Sequence, residues 1–203
     1  MIDLLALAAA LAWLGLLGRR DGFWRCDQVL DEQSPATTPA VLAIVPARDE
    51  AATIEASVAS LLRQDYAGRL DVVVVDDDSR DDTGARAAAL TPPAGRGLHV
   101  HVAPPPPAGR SGKVAAQRAG LTFARTRGLE APWLWFTDAD IVHAPATLSR
   151  LVATAERRRV AMLSVMADLN LTRPVERWLV PAFVYFFQLL YPFRAVNDPG
   201  RAV

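Results

Sequence analysis

Short apolar runs alternate with segments of helical spacing along the middle of this chain, and that alternation constrains the fold more than any other feature. Runs rich in Val, Leu and aromatic residues are typical of buried strands. Strand–helix alternation at this spacing predicts an α/β fold with a mostly parallel sheet. The predicted strands are Ala40–Val45, Leu70–Val75, Leu98–Val102, Trp133–Phe136 and Val160–Val165. The predicted helices are Glu50–Arg63, Asp82–Leu90, Val114–Arg127 and Ala146–Arg159.

Length and composition limit the possible functions. A chain of 203 residues that is 51% hydrophobic can bury a core and favours one domain with an appendage. Its 22 basic and 22 acidic residues balance, so no overall charge indicates a nucleic-acid partner. The single cysteine, Cys26, excludes an internal disulfide framework and a cysteine-based zinc site.

Two apolar segments flank the alternating region. Leu4–Gly18 is uninterrupted and is followed by Arg19 and Arg20, so we favour a membrane anchor with the arginines in the cytoplasm. A signal peptide and a buried helix are the alternatives, although the charges follow the apolar run instead of preceding it. Trp178–Val196 is aromatic on nearly all sides and contains prolines that should limit a continuous helix. It fits an interfacial membrane helix or a core helix equally well.

Acidic clusters follow three of the predicted strands. The first strand leads into Pro46–Glu50 (PARDE), the second into Asp76–Ser79 (DDDS), and the fourth into Asp138–Asp140 (DAD). Ligands of parallel α/β sheets bind beyond the carboxyl ends of the strands. Carboxylates gathered there repel one another and need compensating charge. Hard cations such as Mg²⁺ prefer oxygen ligands, so the clusters indicate a metal-assisted site for a phosphate-bearing ligand.

Each cluster also has a simpler interpretation. An isolated Asp-x-Asp is common in exposed turns, Asp82 and Thr83 suit a helix cap, and Asp81 is expected in solvent. Glu50 would be favourable at a helix N-terminus without touching a ligand.

Basic and histidine side chains add further candidates. Lys113 is the only lysine and begins a helix after a proline-rich loop, where it could meet a phosphate, although the Walker pattern is absent. His99 and His101 share a strand face and are expected to be a satisfied pair instead of metal ligands. His143, three residues past Asp140, could line the metal site or be structural.

These motifs together resemble a known enzyme family. VPARDE, VVVVDDDSRDDTG, SGKVAAQRAG and FTDAD, in this order and at these intervals, resemble the family-2 glycosyltransferases with a GT-A fold. The flanking stretches GFWRCDQ, TDADIVHAP and VPAFVYFFQLLYPFRAVNDP resemble the hopene-associated glycosyltransferases. The resemblance implies a domain arrangement of anchor 1–20, linker 21–39, an incomplete nucleotide-sugar-binding domain 40–172 and an interfacial helix 173–203.

The resemblance also implies roles for individual positions. Asp138 and Asp140 would hold Mg²⁺ or Mn²⁺ on the donor diphosphate, where the ion stabilises the departing group. Lys113 would lie beside the donor pocket. The expected donor is a UDP-sugar, and the acceptor a lipid or hopanoid at the cytoplasmic face of the plasma membrane, with no role for nucleic acid. The positions implied to contact the donor are Pro46, Ala47, Glu50, Asp76, Asp77, Lys113 and Asp138.

The chain departs from the family pattern in three respects. Asp49 stands where the family more often has Asn, and Asp78 where it often has Gly or His. The acidic catalytic base of the family, in a later Glu-Asp or Asp-Asp motif, has no match after Val165, so the base is expected beyond residue 203. The alternatives are therefore a metal-dependent inverting glycosyltransferase or a truncated, non-catalytic nucleotide-sugar-binding fragment. A phosphotransfer enzyme with Asp76 as nucleophile is a third, disfavoured class.

Overall fold

The alternating region folds around a four-stranded parallel sheet, as the alternation predicts. The computed structural model describes residues 2–105, 112–198 and 200. The strands have the spatial order β3-β2-β1-β4 and are all parallel. Their bounds are β1 Val41–Ala47, β2 Leu70–Asp76, β3 Arg96–Val102 and β4 Trp133–Phe136.

Seven helices accompany these strands in the described part of the chain. Four of them lie between or after the strands at the predicted places, and the other three belong to the two ends of the chain. The helices are α1 Ile2–Arg19, α2 Ile54–Leu62, α3 Thr83–Ala88, α4 Gly112–Thr126, α5 Thr147–Arg158, α6 Pro174–Leu190 and α7 Phe193–Val196.

Helices cover both faces of the two central strands. Val41, Ala43 and Val45 of β1 belong to a core shared with α2 and α5, whereas Leu42 and Ile44 belong to a core shared with α4. Alternate side chains of a strand point to opposite faces. The near-continuous apolar runs are therefore explained, because both faces of β1 and β2 are buried.

The strands start in register, so their carboxyl ends meet at one edge. Val41 pairs with Leu70 on one side and with Trp133 on the other, and Leu70 pairs with Arg96. The three acidic clusters follow β1, β2 and β4, and the topology therefore brings all three to the same edge of the sheet.

The chain divides into two compact units. The sheet and its helices form the unit Asp31–Val165, and Met1–Leu30 with Met166–Val203 form the other. In the second unit Tyr185 of α6 packs edge-on against Phe23, with 5.1 Å between ring centroids. The guanidinium of Arg20 donates to the carbonyls of Leu189 and Leu190 at 2.9 and 3.1 Å, which satisfies the end of α6.

The prediction of a fifth strand at Val160–Val165 is wrong. These residues form no strand, and the side chain of Met162 is 84% exposed. The segment leaves α5 through Arg159, whose φ of 52° is left-handed. β-Branched residues favour a strand only where a neighbouring strand and a packed face receive them, and this segment has neither among the described residues.

Two expectations about the terminal helices also change. Pro181 does not interrupt α6, which runs from Pro174 to Leu190 with this proline inside it. A proline removes one helix hydrogen bond, and the packing of Tyr185 on Phe23 helps to hold the following turns. The expected transmembrane anchor is not supported: across residues 2–105, 112–198 and 200, no helix has both the length and the apolar character to cross a bilayer.

Candidate functional site

The ends of β1 and β2 are joined directly through the backbone. The amide of Asp77 donates to the carbonyl of Ala47 at 2.9 Å, beyond the last paired residues of the two strands. Pro46, which has no N–H, occupies a buried position near the end of the central strand β1. The nitrogen of Pro46 faces β4. The pairing of β1 with β4 ends at Ile44 and Phe136, before this position. The missing N–H of the proline therefore removes no hydrogen bond between the two strands.

Side chains from the β2–α3 loop and from the start of α3 hold the β1–α2 loop in place. Ser79 Oγ accepts from the amide of Asp49 at 3.1 Å, and Thr83 Oγ1 accepts from the amide of Glu50 at 2.8 Å. Sequence reasoning missed this arrangement, because it treated Thr83 as a helix cap. The sequence signal that could have revealed this arrangement is the high number of Ser, Thr and Asp residues after β2, because such side chains readily accept hydrogen bonds from backbone amides.

Asp81 also takes part in this crosslink, although it was expected simply to be in solvent. The carboxylate is exposed, yet it accepts from the amides of Ala51 and Thr83 at 3.1 and 3.0 Å. Its hydrogen bond with the Thr83 hydroxyl holds the pKa of Asp81 below its usual value.

Backbone geometry accounts for the two departures from the family pattern in these loops. Asp49 and Asp78 have φ angles of 55° and 59°. Glycine adopts this left-handed region freely, and Asn and Asp tolerate it better than other residues. Asp49 Oδ1 additionally accepts from the amide of Arg80 at 2.7 Å. An aspartate is therefore compatible with the local fold at both positions.

The three consecutive aspartates after β2 have different environments. Asp76 Oδ1 accepts from the amide of Ser79 at 3.0 Å, and α3 lies so close that a Cβ on Gly84 would be 2.6 Å from Asp76 Oδ2. Asp77 is buried, with the Arg48 guanidinium 3.8 Å away. A Cβ on Gly112 would lie 2.7 Å from Asp77 Oδ2, so the N-terminus of α4 directly approaches this carboxylate.

Asp138 and Asp140 flank a tight turn after β4. The amide of Ile141 closes the turn on the carbonyl of Asp138, and Ala139 between the two carboxylates is buried in the core. Asp140 is exposed. Asp138 accepts an ion pair from Lys113, with 2.5 Å between Nζ and Oδ1. The structure therefore brings Lys113 and Asp138 together.

Part of the motif around Lys113 lies outside the described residues. This applies to Arg110 and Ser111, which precede Lys113, and to Pro106 and Pro107 of the proline-rich loop.

Glu50 points toward its own helix. Its Oε2 accepts from the Thr53 hydroxyl at 2.7 Å, and its carbonyl accepts from the amides of Thr53 and Ile54. This geometry agrees with the simpler interpretation, in which a carboxylate is favourable near a helix N-terminus.

The three histidines contact aromatic and polar side chains of the sheet unit. His143 Nε2 lies 2.9 Å from Thr137 Oγ1, its amide donates to Ser60 Oγ, and its ring packs edge-on against Trp135. Burial lowers the pKa of His143 below its usual value. His101 stacks on Phe123 with 4.6 Å between ring centroids, and His99 Nε2 lies 3.9 Å from Asp71 Oδ1.

The donor atoms of this edge suit a hard cation that retains outside ligands. In the portion of the chain that the structure describes, no three His, Cys, Asp or Glu side chains converge as a metal cage. Asp138 and Asp140 offer two carboxylates on one turn. Mg²⁺ and similar ions typically take one or two carboxylates and complete their octahedron with water and phosphate oxygens. The residues present therefore fit such an ion.

Comparison with a solved structure supports the α/β fold with a parallel sheet. The chain superposes on a mannosyltransferase from Pyrobaculum calidifontis, solved with GDP-Man and Mn²⁺, with a TM-score of 0.51 and 25% identity. That match covers 89% of this chain and 50% of the other, so the chain spans about half of its length.

Two further structures are less similar. S. aureus TarS 1–349 with UDP-GlcNAc has a TM-score of 0.48 and 22% identity, over 63% of this chain and 37% of TarS. M. tuberculosis glucosyl-3-phosphoglycerate synthase has a TM-score of 0.40 and 24% identity, over 72% and 52%. No curated protein sequence matches the chain significantly.

A family model decides the assignment. The model described as "Glycosyl transferase family 2" matches residues 42–199, which include the sheet except for Val41, all three acidic clusters and α6. Because the match extends over well more than half of the sequence and agrees with the parallel sheet, this chain belongs to glycosyltransferase family 2.

Proposed function

We propose that this chain binds a nucleotide-sugar donor at the carboxyl edge of its sheet and contributes to a metal-dependent, inverting transfer of the sugar. The observation that carries the proposal is the meeting of three acidic clusters and Lys113 at this edge in a family-2 chain. The overall reaction breaks the bond between the anomeric carbon and the diphosphate oxygen. A bond to the acceptor oxygen replaces it, and a general base takes the acceptor's proton.

The residues of this edge divide into two groups. Asp138 and Asp140 are suited to hold Mg²⁺ or Mn²⁺, which would supply Lewis-acid stabilisation of the departing diphosphate. Lys113, at the start of α4, is placed to neutralise phosphate oxygens near the helix N-terminus. We propose that Asp77 and the Pro46–Ala47 backbone border the base and ribose, because the hydrogen bond from the Asp77 amide to the Ala47 carbonyl joins them at this edge.

Calorimetric titration tests the donor site. We expect UDP-sugars or GDP-sugars to bind with Mn²⁺ present, and Asp140→Asn to weaken that binding at least tenfold. Asp82→Asn is the matched control, because it removes one exposed carboxylate from the β2–α3 loop without touching the proposed ligands. Both nucleotides are tested, since the mannosyltransferase was solved with GDP-Man, whereas UDP is the donor expected from the sequence. Failure of the folded protein to bind either one would refute the proposal.

We further propose that the acceptor is a lipid, with a hopanoid as the candidate from subfamily resemblance, and that the protein works on the cytoplasmic membrane surface. The support is the exposed face of α6. Val175, Trp178, Leu179, Phe183 and Phe186 recur at helical spacing and are all exposed, Trp178 by 83%. Exposed aromatic and aliphatic side chains in such a stripe along one helix are typical of a helix that lies in a membrane interface.

Vesicle sedimentation tests the membrane proposal. We expect the protein to cosediment with phosphatidylcholine vesicles, and Trp178→Glu together with Phe183→Glu to abolish this. Val29→Glu is the control, because it adds a charge at an exposed apolar side chain outside the stripe. Equal binding by all three proteins would contradict the assignment of the stripe.

The second candidate function is donor binding without transfer. It is favoured by the observation that Asp76, Asp77 and Asp81 at this edge are already engaged by backbone amides or by Arg48. Single-turnover assays with a radiolabelled sugar donor distinguish the two candidates. Transfer that Asp140→Asn abolishes supports the enzyme, and inversion is read from the anomeric coupling constant of the product.

A further inference from the structure

The ion pair between Lys113 and Asp138 joins two residues with competing roles. Lys113 Nζ lies 2.5 Å from Asp138 Oδ1, and both side chains are about half exposed. Lys113 belongs to α4 and Asp138 to the turn after β4, so the pair connects separate elements of the same edge. One of the two carboxylates proposed to hold a cation is thus already paired with the protein's own ammonium group.

A divalent ion that binds Asp138 competes with this lysine for the carboxylate. The lysine occupies Oδ1, and an ammonium group beside a doubly charged ion repels it. Asp140 is the other carboxylate of the turn, and no third metal-binding side chain converges there among the described residues. The metal alone therefore meets a carboxylate that is already paired through one oxygen, and an unfavourable neighbouring charge.

We propose that Lys113 is a resident counter-ion of Asp138, which keeps the metal weakly bound until a diphosphate arrives and thereby couples metal binding to donor binding. The inference rests on the proposed function for its second half, in which the diphosphate accepts the lysine. A diphosphate offers several anionic oxygens in place of one carboxylate oxygen. The lysine can then move to the phosphate, which frees Asp138 for the ion.

The local structure allows the side chain to move while the helix stays in place. Gly120 of α4 lies against the sheet so closely that a Cβ there would be 2.6 Å from Val75 Cγ2 and 3.0 Å from Ile44 Cγ2. The helix axis is therefore fixed by the core. The lysine stem is flexible and half exposed, so exchange of its partner requires only rotation of the side chain.

Binding of Mn²⁺ alone tests the first half. We expect Lys113→Met to bind Mn²⁺ about three- to tenfold more tightly than the wild-type protein at low salt, because an exposed ion pair and a neighbouring charge are removed. Lys113→Arg, which keeps the charge, should stay near wild-type. Arg48→Met is the matched control: it removes a cation 3.8 Å from Asp77 that does not touch Asp138, and should change Mn²⁺ affinity less than twofold. Electron paramagnetic resonance of free Mn²⁺ gives each dissociation constant.

A double-mutant cycle separates direct contact from a general charge effect. In an Asp138→Asn background, Lys113→Met should tighten Mn²⁺ binding by less than twofold, because the carboxylate that the lysine occupies is gone. Circular dichroism confirms that each variant is folded. If Lys113→Met tightens binding equally with and without Asp138, or not at all, the counter-ion role is overturned.

Titration in saturating UDP or GDP tests the coupling. We expect the nucleotide to tighten Mn²⁺ binding by at least tenfold in the wild-type protein, and by a clearly smaller factor in Lys113→Met. Equal factors would overturn the coupling while leaving the proposed donor site intact. Absence of nucleotide binding by every variant would instead refute the proposed function and the coupling with it, and the Mn²⁺-only measurements would then decide whether Lys113 competes for Asp138.

Discussion

Replacement of Gly120 by alanine tests how α4 is held on the sheet and therefore how Lys113 is positioned. Gly120 is buried in the middle of α4. Two effects oppose each other at this position. Alanine is favoured over glycine inside a helix by about 0.8–1.0 kcal/mol. The new methyl group, however, would lie 2.6 Å from Val75 Cγ2 and 3.0 Å from Ile44 Cγ2.

The steric effect should dominate. Overpacking a well-packed core destabilises by about 1–3 kcal/mol, and the contacted atoms belong to β-branched side chains of buried strands, which cannot rotate away. We therefore expect Gly120→Ala to lower the free energy of unfolding by up to about 2 kcal/mol after the gain in helix propensity is subtracted. The displaced helix should also weaken nucleotide binding, because Lys113 lies two turns toward its N-terminus.

Urea unfolding followed by circular dichroism measures this change. The control is Gly15→Ala in α1, where a Cβ would meet no atom within 4 Å. That substitution should be neutral or stabilising, by up to about 1 kcal/mol. If Gly120→Ala were to stabilise the protein as Gly15→Ala does, α4 would not pack on β1 and β2 as described.

Further predictions concern other parts of the sheet unit. Burial holds the pKa of His143 below its usual value of 6.5, so the folded state resists protonation and the unfolded state does not. The free energy of unfolding should be greatest above pH 6.5 and fall as the pH drops below it, and His143→Asn should reduce this dependence in urea titrations at pH 5.5 and 7.5. Gly68→Ala would place a methyl group 2.6 Å from the Thr38 carbonyl and 2.8 Å from the Pro39 carbonyl. Because backbone atoms cannot turn aside, we expect a loss of about 1–3 kcal/mol by thermal unfolding, and an unchanged melting temperature would contradict the packing of that loop.

The sequence predicts the sheet well because burial on two faces leaves a strong pattern. Val72–Val75 is β-branched throughout, and such a run has few alternatives to a central parallel strand. Val160–Val165 is also mostly apolar, with a valine at each end, yet it forms no strand. The prediction of a strand at Val160–Val165 failed because composition does not reveal whether a neighbouring strand is available to pair with it.

The candidate site was predictable in position and less so in detail. Parallel topology was sufficient to bring Asp76, Asp77 and Asp138 to one edge. The contact between Lys113 and Asp138 depends on how α4 lies across the sheet, which no local pattern encodes. The support that Ser79 and Thr83 give to the β1–α2 loop was likewise hidden, because these side chains bond to the backbone of a segment about thirty residues away.

A crystal structure with Mn²⁺ and a nucleoside diphosphate tests the central claim most directly. Anomalous scattering at the manganese edge would locate the ion without ambiguity. We expect it within coordination distance, about 2.0–2.6 Å, of a carboxylate oxygen of Asp140 or Asp138 and of diphosphate oxygens. Lys113 should have left Asp138 for the phosphate. A nucleotide bound elsewhere on the protein, or an ion bound without either carboxylate, would contradict the assignment of this edge as the donor site.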